Sequence, residues 1–149
     1  MLKIKRIRKS FFEIINFLNS NKIIYWVGRR ITEQIKDGLI NDDEQHDIDF
    51  HVMISNKEKL INLLKINNYN IKGCKPYKIL INAKSDSRRI EFVFLFPEDN
   101  FLWHQSKNKK YKCLKSLFDN HRVNINNVKV RIPYPLPDYI SRIQLKNEK

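Results

Sequence analysis

The feature that most constrains the fold of this chain is the run at residues 89–96, in which every residue except Arg89 and Glu91 is apolar or aromatic. A continuous run of this kind, rich in Phe, Ile and Val, predicts a strand buried inside a sheet. Glu91 stands out, because a carboxylate in a buried strand costs free energy unless it is paired or bound to a ligand. Glu91 therefore pairs with Arg88 or Arg89, lies at a solvated edge, or belongs to a functional site.

A second acidic feature opens another predicted strand, at residues 47–54. Aspartate is depleted in strands, yet Asp47 and Asp49 both stand at its start. Residues two apart on a strand share a face about 6.5 Å apart, so we expect both carboxylates to project together while Ile48 and Phe50 point into the core. Two such charges repel each other, and a divalent cation between them would remove the repulsion. Carboxylate oxygens suit Mg²⁺ or Mn²⁺, and the alternative is a polar strand edge.

The rest of the chain predicts a small mixed β-sheet flanked by helices, which is an α+β (α/β mixed sheet) arrangement. Helical spacing of apolar residues and short β-branched or aromatic runs mark the remaining elements. The predicted helices follow an N-cap at Ser10, span Arg29–Lys36 with Asp37-Gly38 as the stop, and span 57–67. The further predicted strands are 23–27, 68–72, 77–81, and a hairpin of 122–125 with 128–132 across Asn126-Asn127. The segment after Pro97 is predicted to be loop, and a short helix is expected near Asp138.

Composition limits the class of protein. The length of 149 residues and the 42% hydrophobic fraction fit one packed domain over 1–149. A net charge of +13 favours an anionic ligand such as a nucleotide, and leaves nucleic acid open as a partner. Cys74 and Cys113 lack paired metal spacing and no secretory leader precedes them, so we expect reduced thiols in a cytoplasmic protein. No apolar run approaches the roughly 20 residues of a membrane span.

The segment around the acidic pair resembles a known family. In YWVGRRITEQIKDGLINDDEQHDIDFHV, residues 25–52, a glycine closes a strand, a helix follows, and a second glycine with an apolar pair precedes Asp-Ile-Asp. This layout resembles the LicD/fukutin-type family of the nucleotidyltransferase fold. The run RRIEFVFLF places Glu91 where that family usually has aspartate, and FDNHRVNINNVKVRIPYPLPDYISR is similar to its closing segment. The matching positions in the first segment are Tyr25, Trp26, Gly28, Gly38, Leu39, Ile40, Asp47 and Asp49.

The resemblance implies a nucleotidyltransferase-like fold and a metal-dependent phosphotransferase. Such enzymes transfer a phospho-alcohol group, for example phosphocholine, from a cytidine diphosphate (CDP) carrier to a sugar or glycan hydroxyl. Asp47, Asp49 and Glu91 would hold Mg²⁺ or Mn²⁺, or Glu91 would instead act as the base on the acceptor hydroxyl.

The same resemblance assigns the donor site. Gly28 would let a phosphate approach the backbone, and Arg29 and Arg30 would hold its oxygens, unless the two arginines are only a solvated helix start. His46 stands where an acid is common in the family, and we expect it to contact the nucleotide-linked substrate. Two other classes stay open: a catalytically silent module that binds nucleotide or RNA, and a nucleotidyltransferase that modifies RNA or protein.

Overall fold

The structure is a computed structural model that describes residues 2–42 and 47–135, together with the backbone of residues 143–146. Within these residues the helices are α1 (Lys9–Ser20), α2 (Arg29–Lys36) and α3 (Lys57–Ile66). The strands are β1 (Lys3–Arg6), β2 (Tyr25–Val27), β3 (Leu39–Asn41), β4 (Ile48–Met53), β5 (Ile71–Lys75), β6 (Lys78–Asn82), β7 (Arg89–Glu98), β8 (Phe101–Ser106), β9 (Lys109–Leu114), β10 (Arg122–Ile125), β11 (Val128–Arg131) and β12 (Ile143–Lys146).

The central sheet is mixed, as the sequence predicts. Its strand order is β12-β9-β8-β7-β4-β2, and β6 joins β7 with β5 beyond it. The β4–β7 pair is parallel, whereas the other pairs of this sheet are antiparallel. The predicted buried strand is confirmed, because β7 pairs with β4 on one side and with β6 and then β8 on the other.

The helices cover one face of this sheet. From β4, Phe50 packs into the main core with Phe11 of α1, Leu60 of α3 and Phe92 of β7, all with 0% exposure. Burying one such side chain contributes about 1.5–3 kcal/mol. Since side chains alternate along a strand, Asp49 of β4 and its neighbours on that side lie on the opposite face, away from the helices.

A hairpin replaces the loop that the sequence predicts after Pro97. β7 continues through Pro97 to Glu98, and β8 and β9 then pair antiparallel. Aromatic rings and lysine stems stabilise the hairpin: the rings of Phe96 and Trp103 stack with centroids 4.2 Å apart, and Lys110 Nζ lies 4.8 Å from the Trp103 centroid. The prediction was wrong because the aromatic rings of this segment find partners on neighbouring strands, and the apolar stem of lysine covers aromatic surface well.

Several element boundaries also differ from expectation. The α1 helix starts at Lys9 with Arg8 as its N-cap, so Ser10 lies inside the first turn and is not the cap. Gly73 lies within β5 rather than between two strands, because β5 and β6 begin later than predicted. The short strands β1 and β3, which pair parallel to each other, were not predicted.

Other predictions are confirmed. The α2 helix has the predicted bounds and ends at Lys36, and the Asp37-Gly38 stop follows it, with Gly38 in the left-handed region at a φ of +79°. The β10–β11 hairpin turns at Asn126 and Asn127, both with positive φ. The helix expected near Asp138 lies outside the described residues. None of the helices among the described residues has the length and apolarity to cross a membrane. Neither Cys74 nor Cys113 forms a disulfide within the residues that the structure describes.

Candidate active site

Two carboxylates meet on the face of the sheet opposite α1 and α3. The parallel register of β4 and β7 places Asp49 beside Glu91, and adjacent strands lie about 4.8 Å apart. Burial first, and then the hydrogen bond and negative charge of Glu91, raise the pKa of Asp49 to about 7 from 3.8. The charge of Asp47 acts in the same direction, and that of Lys78 opposes it. Asp49 therefore binds a proton more readily than an ordinary aspartate near neutral pH, and a cation beside it would favour its charged form.

Position 28 must be glycine, because its backbone packs directly against Asp49. β2 runs antiparallel to β4, and the Gly28 amide donates to the Asp49 carbonyl oxygen at 2.9 Å. A Cβ added at Gly28 would lie 2.7 Å from Asp49 Cβ and 2.9 Å from Asp49 O. The chain can thus enter α2 directly beside the acid pair only with glycine at this position.

Asp47 lines a small cavity together with Asp49 and Gly28. It precedes β4, its side chain is about half exposed, and its Oδ2 lies 3.5 Å from Nε of Arg89. Asp47 is still near enough for its charge to raise the pKa of Asp49.

Glu91 has two cationic neighbours. Lys78 Nζ lies 3.3 Å from Glu91 Oε1, and Arg89 Nη2 lies 3.4 Å from the same oxygen. The ion pair with Arg89 is one of the alternatives that the sequence left open. Arg88, the other expected partner, is directed elsewhere and binds Asp42. Glu91 is therefore compensated by two cations while Asp49 remains the poorly compensated member of the pair.

The donor set partly fits a divalent cation. Asp49 and Glu91 present adjacent hard oxygens whose mutual repulsion a cation would relieve. In the described part of the chain, however, no group of three or more His, Cys, Asp or Glu side chains is arranged to hold a metal. Asp47 would have to leave Arg89 to complete a set of three carboxylates. The pair fits such an ion, and the third ligand depends on this rearrangement.

The two arginines at the start of α2 have different surroundings. Arg29 lines a cleft with Asp49 and Glu91, and its Nε donates to Glu33 at 2.6 Å. Arg30 lies near Asp49 as well, but its Nη2 donates to Asp42 at 3.2 Å. Arg29 is thus the arginine available to the cleft. His46, the other expected substrate contact, lies outside the described residues.

Two histidines and a tyrosine, which the sequence analysis did not assign, line the same cleft. His51 follows Asp49 by two residues on the same face of β4, and its ring centroid lies 4.6 Å from that of His104 on β8. The ring of Tyr111 on β9 stacks on His104 at 5.3 Å. His51 could have been found from strand alternation, whereas His104 and Tyr111 required the unpredicted β8–β9 hairpin.

Asp42 is a second acidic residue that sequence reasoning missed. It is fully buried, and the guanidinium of Arg88 donates to both of its carboxylate oxygens, one at 2.8 Å. Arg30 and the Arg8 amide donate to it as well. Burial by itself would raise the pKa of Asp42, but these donors and positive charges outweigh it and hold that pKa below its usual value. No local signal marks this pairing, because Arg88 lies 46 residues away.

Comparison with known proteins places the fold. No family model matches the chain, and no curated protein matches it in sequence. It is similar to the crystal structure of the lincosamide antibiotic adenylyltransferase LnuA with lincomycin bound, with a TM-score of 0.65 and 15% identity over 91% of this chain and 85% of that one.

It is also similar to the antibiotic-resistance factor ANT(2'')-Ia. The solution structure of that protein gives a TM-score of 0.63 at 11% identity, over 83% of this chain and 63% of that one. The crystal structure with adenylyl-2''-tobramycin gives 0.54 at 12% identity, over 83% and 66%. This chain thus spans less than two thirds of ANT(2'')-Ia. The comparisons do not support the LicD/fukutin family itself, but they agree with the predicted fold class, and the chain has a nucleotidyltransferase-like fold.

Proposed function

We propose that this protein is a nucleotidyltransferase that joins a nucleotidyl group to a hydroxyl of a small molecule, with Asp49 and Glu91 at its catalytic centre. The observation that carries the proposal is the adjacency of these carboxylates under Gly28, with the pKa of Asp49 raised to about 7. A fold gains no stability from a poorly neutralised aspartate held beside a glutamate, and such a perturbed group in a cleft is typical of active sites.

The transfer has simple chemistry. The acceptor oxygen attacks the α-phosphorus of the donor nucleotide, a new P–O bond forms, and the bond to the pyrophosphate leaving group breaks. Glu91 takes the hydroxyl proton, and Arg29 at the start of α2 binds phosphate oxygens. A divalent ion held by Asp49 and Asp47 would supply charge neutralisation on the phosphates, and if Glu91 joins them as a third ligand the hydroxyl proton passes to water instead. Gly28 keeps the turn into α2 close to these groups.

The cleft favours a small polar acceptor. Besides the acids, it is lined by His51, Lys78, His104, Ser106 and Tyr111, which offer hydrogen-bonding groups and ring faces in a narrow space. This mixture suits a molecule with several hydroxyl groups. The fold neighbours modify antibiotics by adenylylation, which motivates a nucleoside triphosphate as donor; the LicD-like segment motivates a CDP-linked donor and a glycan acceptor. We regard the triphosphate as the first donor to test.

A thermal-shift panel tests the proposal. The full chain is melted with each nucleoside triphosphate and with CDP-choline, with and without Mg²⁺ or Mn²⁺. We expect a triphosphate with metal to raise the melting temperature, because a ligand that binds only the folded state stabilises it. Asp49→Asn and Glu91→Gln should lose this response, while Glu98→Gln, an exposed glutamate paired with Lys112, should keep it.

Activity is then followed as pyrophosphate release with polyhydroxylated acceptors. Glu91→Gln should lower the rate by about 10²-fold or more. A response to CDP-choline alone would replace the triphosphate with a CDP donor. The enzyme proposal fails if no donor stabilises the wild type and no pyrophosphate is released.

A second candidate is a silent nucleotide-binding module. Existing ion pairs favour this candidate. Glu91 pairs with Lys78 and Arg89, and Asp47 pairs with Arg89, so two of the three acids already have cationic partners. A silent module should bind nucleotide equally with and without metal, and Glu91→Gln should leave binding unchanged. The same panel therefore separates the two candidates.

A further inference from the structure

A second cavity lies away from the candidate active site, at the opposite end of β2. It is open, has a volume of about 320 Å³, and is lined by Tyr25 together with Lys22, Arg122, Lys129 and Arg131. Tyr25 pairs with Val52, whereas Gly28 bonds to Asp49, so the two sites are separated by three residues or about 10 Å along the strand. The volume is within the range of small-ligand sites.

The charges around this cavity have one sign. Arg122 and Arg131 are direct partners across the β10–β11 hairpin, an arrangement of like charges that destabilises a strand pair. Lys129 lies two residues from Arg131 and hence on the same face. Among the residues that the structure describes, neither these three side chains nor Lys22 forms an ion pair with a carboxylate.

The walls of the cavity are held in place. The Tyr25 hydroxyl donates to the Lys129 carbonyl at 3.5 Å and accepts from the Arg131 amide at 3.4 Å, which ties β11 to β2. The Arg131 guanidinium donates to Asn120 Oδ1 at 2.9 Å and lies 5.7 Å from the ring centroid of Trp26. Burial, and next the charge of Arg122, lower the pKa of Arg131, against smaller opposing effects of Tyr25 and Asp119. These contacts keep the cationic groups together despite their repulsion.

We propose that this cavity is an anion site that binds a phosphate group, separate from the candidate active site. A phosphate between Arg122 and Arg131 replaces repulsion by charge-assisted hydrogen bonds, for which the guanidinium fork is well shaped. Lys129 and Lys22 add positive charge at the rim. The phosphate is carried either by a small molecule or by a nucleic-acid strand, and the net charge of +13 favours the approach of both.

The test uses the full chain in a buffer with chelator and no divalent metal. Pyrophosphate and a short, fluorescently labelled single-stranded RNA are the probes, followed by thermal shift and by anisotropy at several salt concentrations. We expect pyrophosphate to raise the melting temperature of the wild type. The double variant Arg122→Gln/Lys129→Gln should bind about tenfold more weakly or worse, and it should melt higher than the wild type without probe, because the repulsion is gone.

Matched controls locate the effect. Lys59→Gln/Lys65→Gln removes the same charge from exposed positions of α3 and should keep the wild-type response. A pyrophosphate response that is lost in Arg29→Gln but kept in the double variant would place the anion in the candidate active-site cleft and overturn the proposal. Lys22→Gln leaves the hairpin unchanged and serves if the double variant fails to fold.

Each outcome decides a question. RNA binding with a steep salt dependence that is reduced in the double variant identifies a nucleic-acid strand as the source of the phosphate. A response to pyrophosphate alone identifies a small anion. Equal responses of the double variant and the α3 control, or no response of the wild type to either probe, overturn the proposal.

Discussion

Asp42 and Asp49 lie seven positions apart in the sequence, yet the fold treats their charges in opposite ways. Asp42 is fully buried and receives both ends of the Arg88 guanidinium, Arg30 and the Arg8 amide, so its pKa is lowered. The pKa of Asp49 is raised, first by burial and then by the hydrogen bond and negative charge of the neighbouring Glu91. Burial disfavours both carboxylates, and the sign of the neighbouring charge decides the outcome.

This difference separates a structural acid from a candidate functional one. The compensated Asp42 joins the loop after β3 to Arg88 at the start of β7 and to the N-terminal end of α1. The uncompensated Asp49 contributes nothing comparable and is better explained by a ligand that the fold is prepared to receive. Acidity in the sequence does not make this distinction, because both residues belong to one polar, acidic segment.

The largest effect is expected from removing the compensated acid. Asp42→Ala leaves Arg88 buried without its carboxylate, and breaking a buried pair in this way costs about 3–5 kcal/mol. The free energy of unfolding from chemical denaturation measures the loss. Asp37→Ala, at an exposed position just after α2, is the matched control and should change little. Equal losses in the two variants would contradict the structural role of Asp42.

A smaller loss of stability is expected at Gly28, where the backbone approaches Asp49. Gly28→Ala adds a Cβ at 2.7 Å from Asp49 Cβ and 2.9 Å from its carbonyl oxygen, so strand β4 must move. We expect a cost of about 1–3 kcal/mol together with loss of nucleotide binding. Gly73→Ala is the control, since its nearest neighbour is the movable Leu80 Cδ1 at 3.1 Å. A Gly28→Ala protein with wild-type stability and binding would show that the close packing is unimportant.

Replacing the uncompensated acid, Asp49, should raise the free energy of unfolding instead of lowering it. Its pKa is 3.8 unfolded and about 7 folded, so between these pH values the folded state binds more protons and Asp49 makes the protein less stable as pH rises. Asp49→Asn removes this dependence. At pH 8 without metal it should be more stable than the wild type by about 1 kcal/mol or more, and near pH 4 the difference should vanish.

Denaturation curves across this pH range measure the difference in the free energy of unfolding between the wild type and Asp49→Asn. Asp99→Asn, in the turn between β7 and β8, is the control. Adding Mg²⁺ at pH 8 should stabilise the wild type and narrow the gap. A stability difference that is constant with pH would mean that neither burial nor Glu91 raises the pKa of Asp49.

The smallest effect on stability is expected at Asp47. Its ion pair with Arg89 is 3.5 Å long and about half exposed on both sides, so Asp47→Asn should change the free energy of unfolding by no more than about 0.5 kcal/mol. If Asp47 completes the metal set, the same variant weakens the thermal response to Mg²⁺, and Arg89→Gln strengthens it by freeing the carboxylate. Unchanged magnesium responses in both variants would remove Asp47 from the site.

Much of the fold follows from local sequence. The apolar run at β7, the helical spacing with Gly38 as the stop of α2, and the paired asparagines of the β10–β11 turn predict their elements directly. Asp49 and Glu91 were recognisable as anomalies because each stands in an otherwise apolar strand. The β8–β9 hairpin was missed because its lysines are stabilised by aromatic rings of neighbouring strands, which local propensity does not register.

The sequence by itself thus determined the three α-helices, strands such as β4 and β7, and which carboxylates are out of place in those strands, because these properties depend on residues close together in the chain. The tertiary structure alone decided which acid is neutralised. The parallel register of β4 and β7 sets Asp49 against Glu91, and the same packing brings Arg88 to Asp42 from 46 residues away. Charge compensation depends on distance in space, and only the packing of distant strands sets that distance.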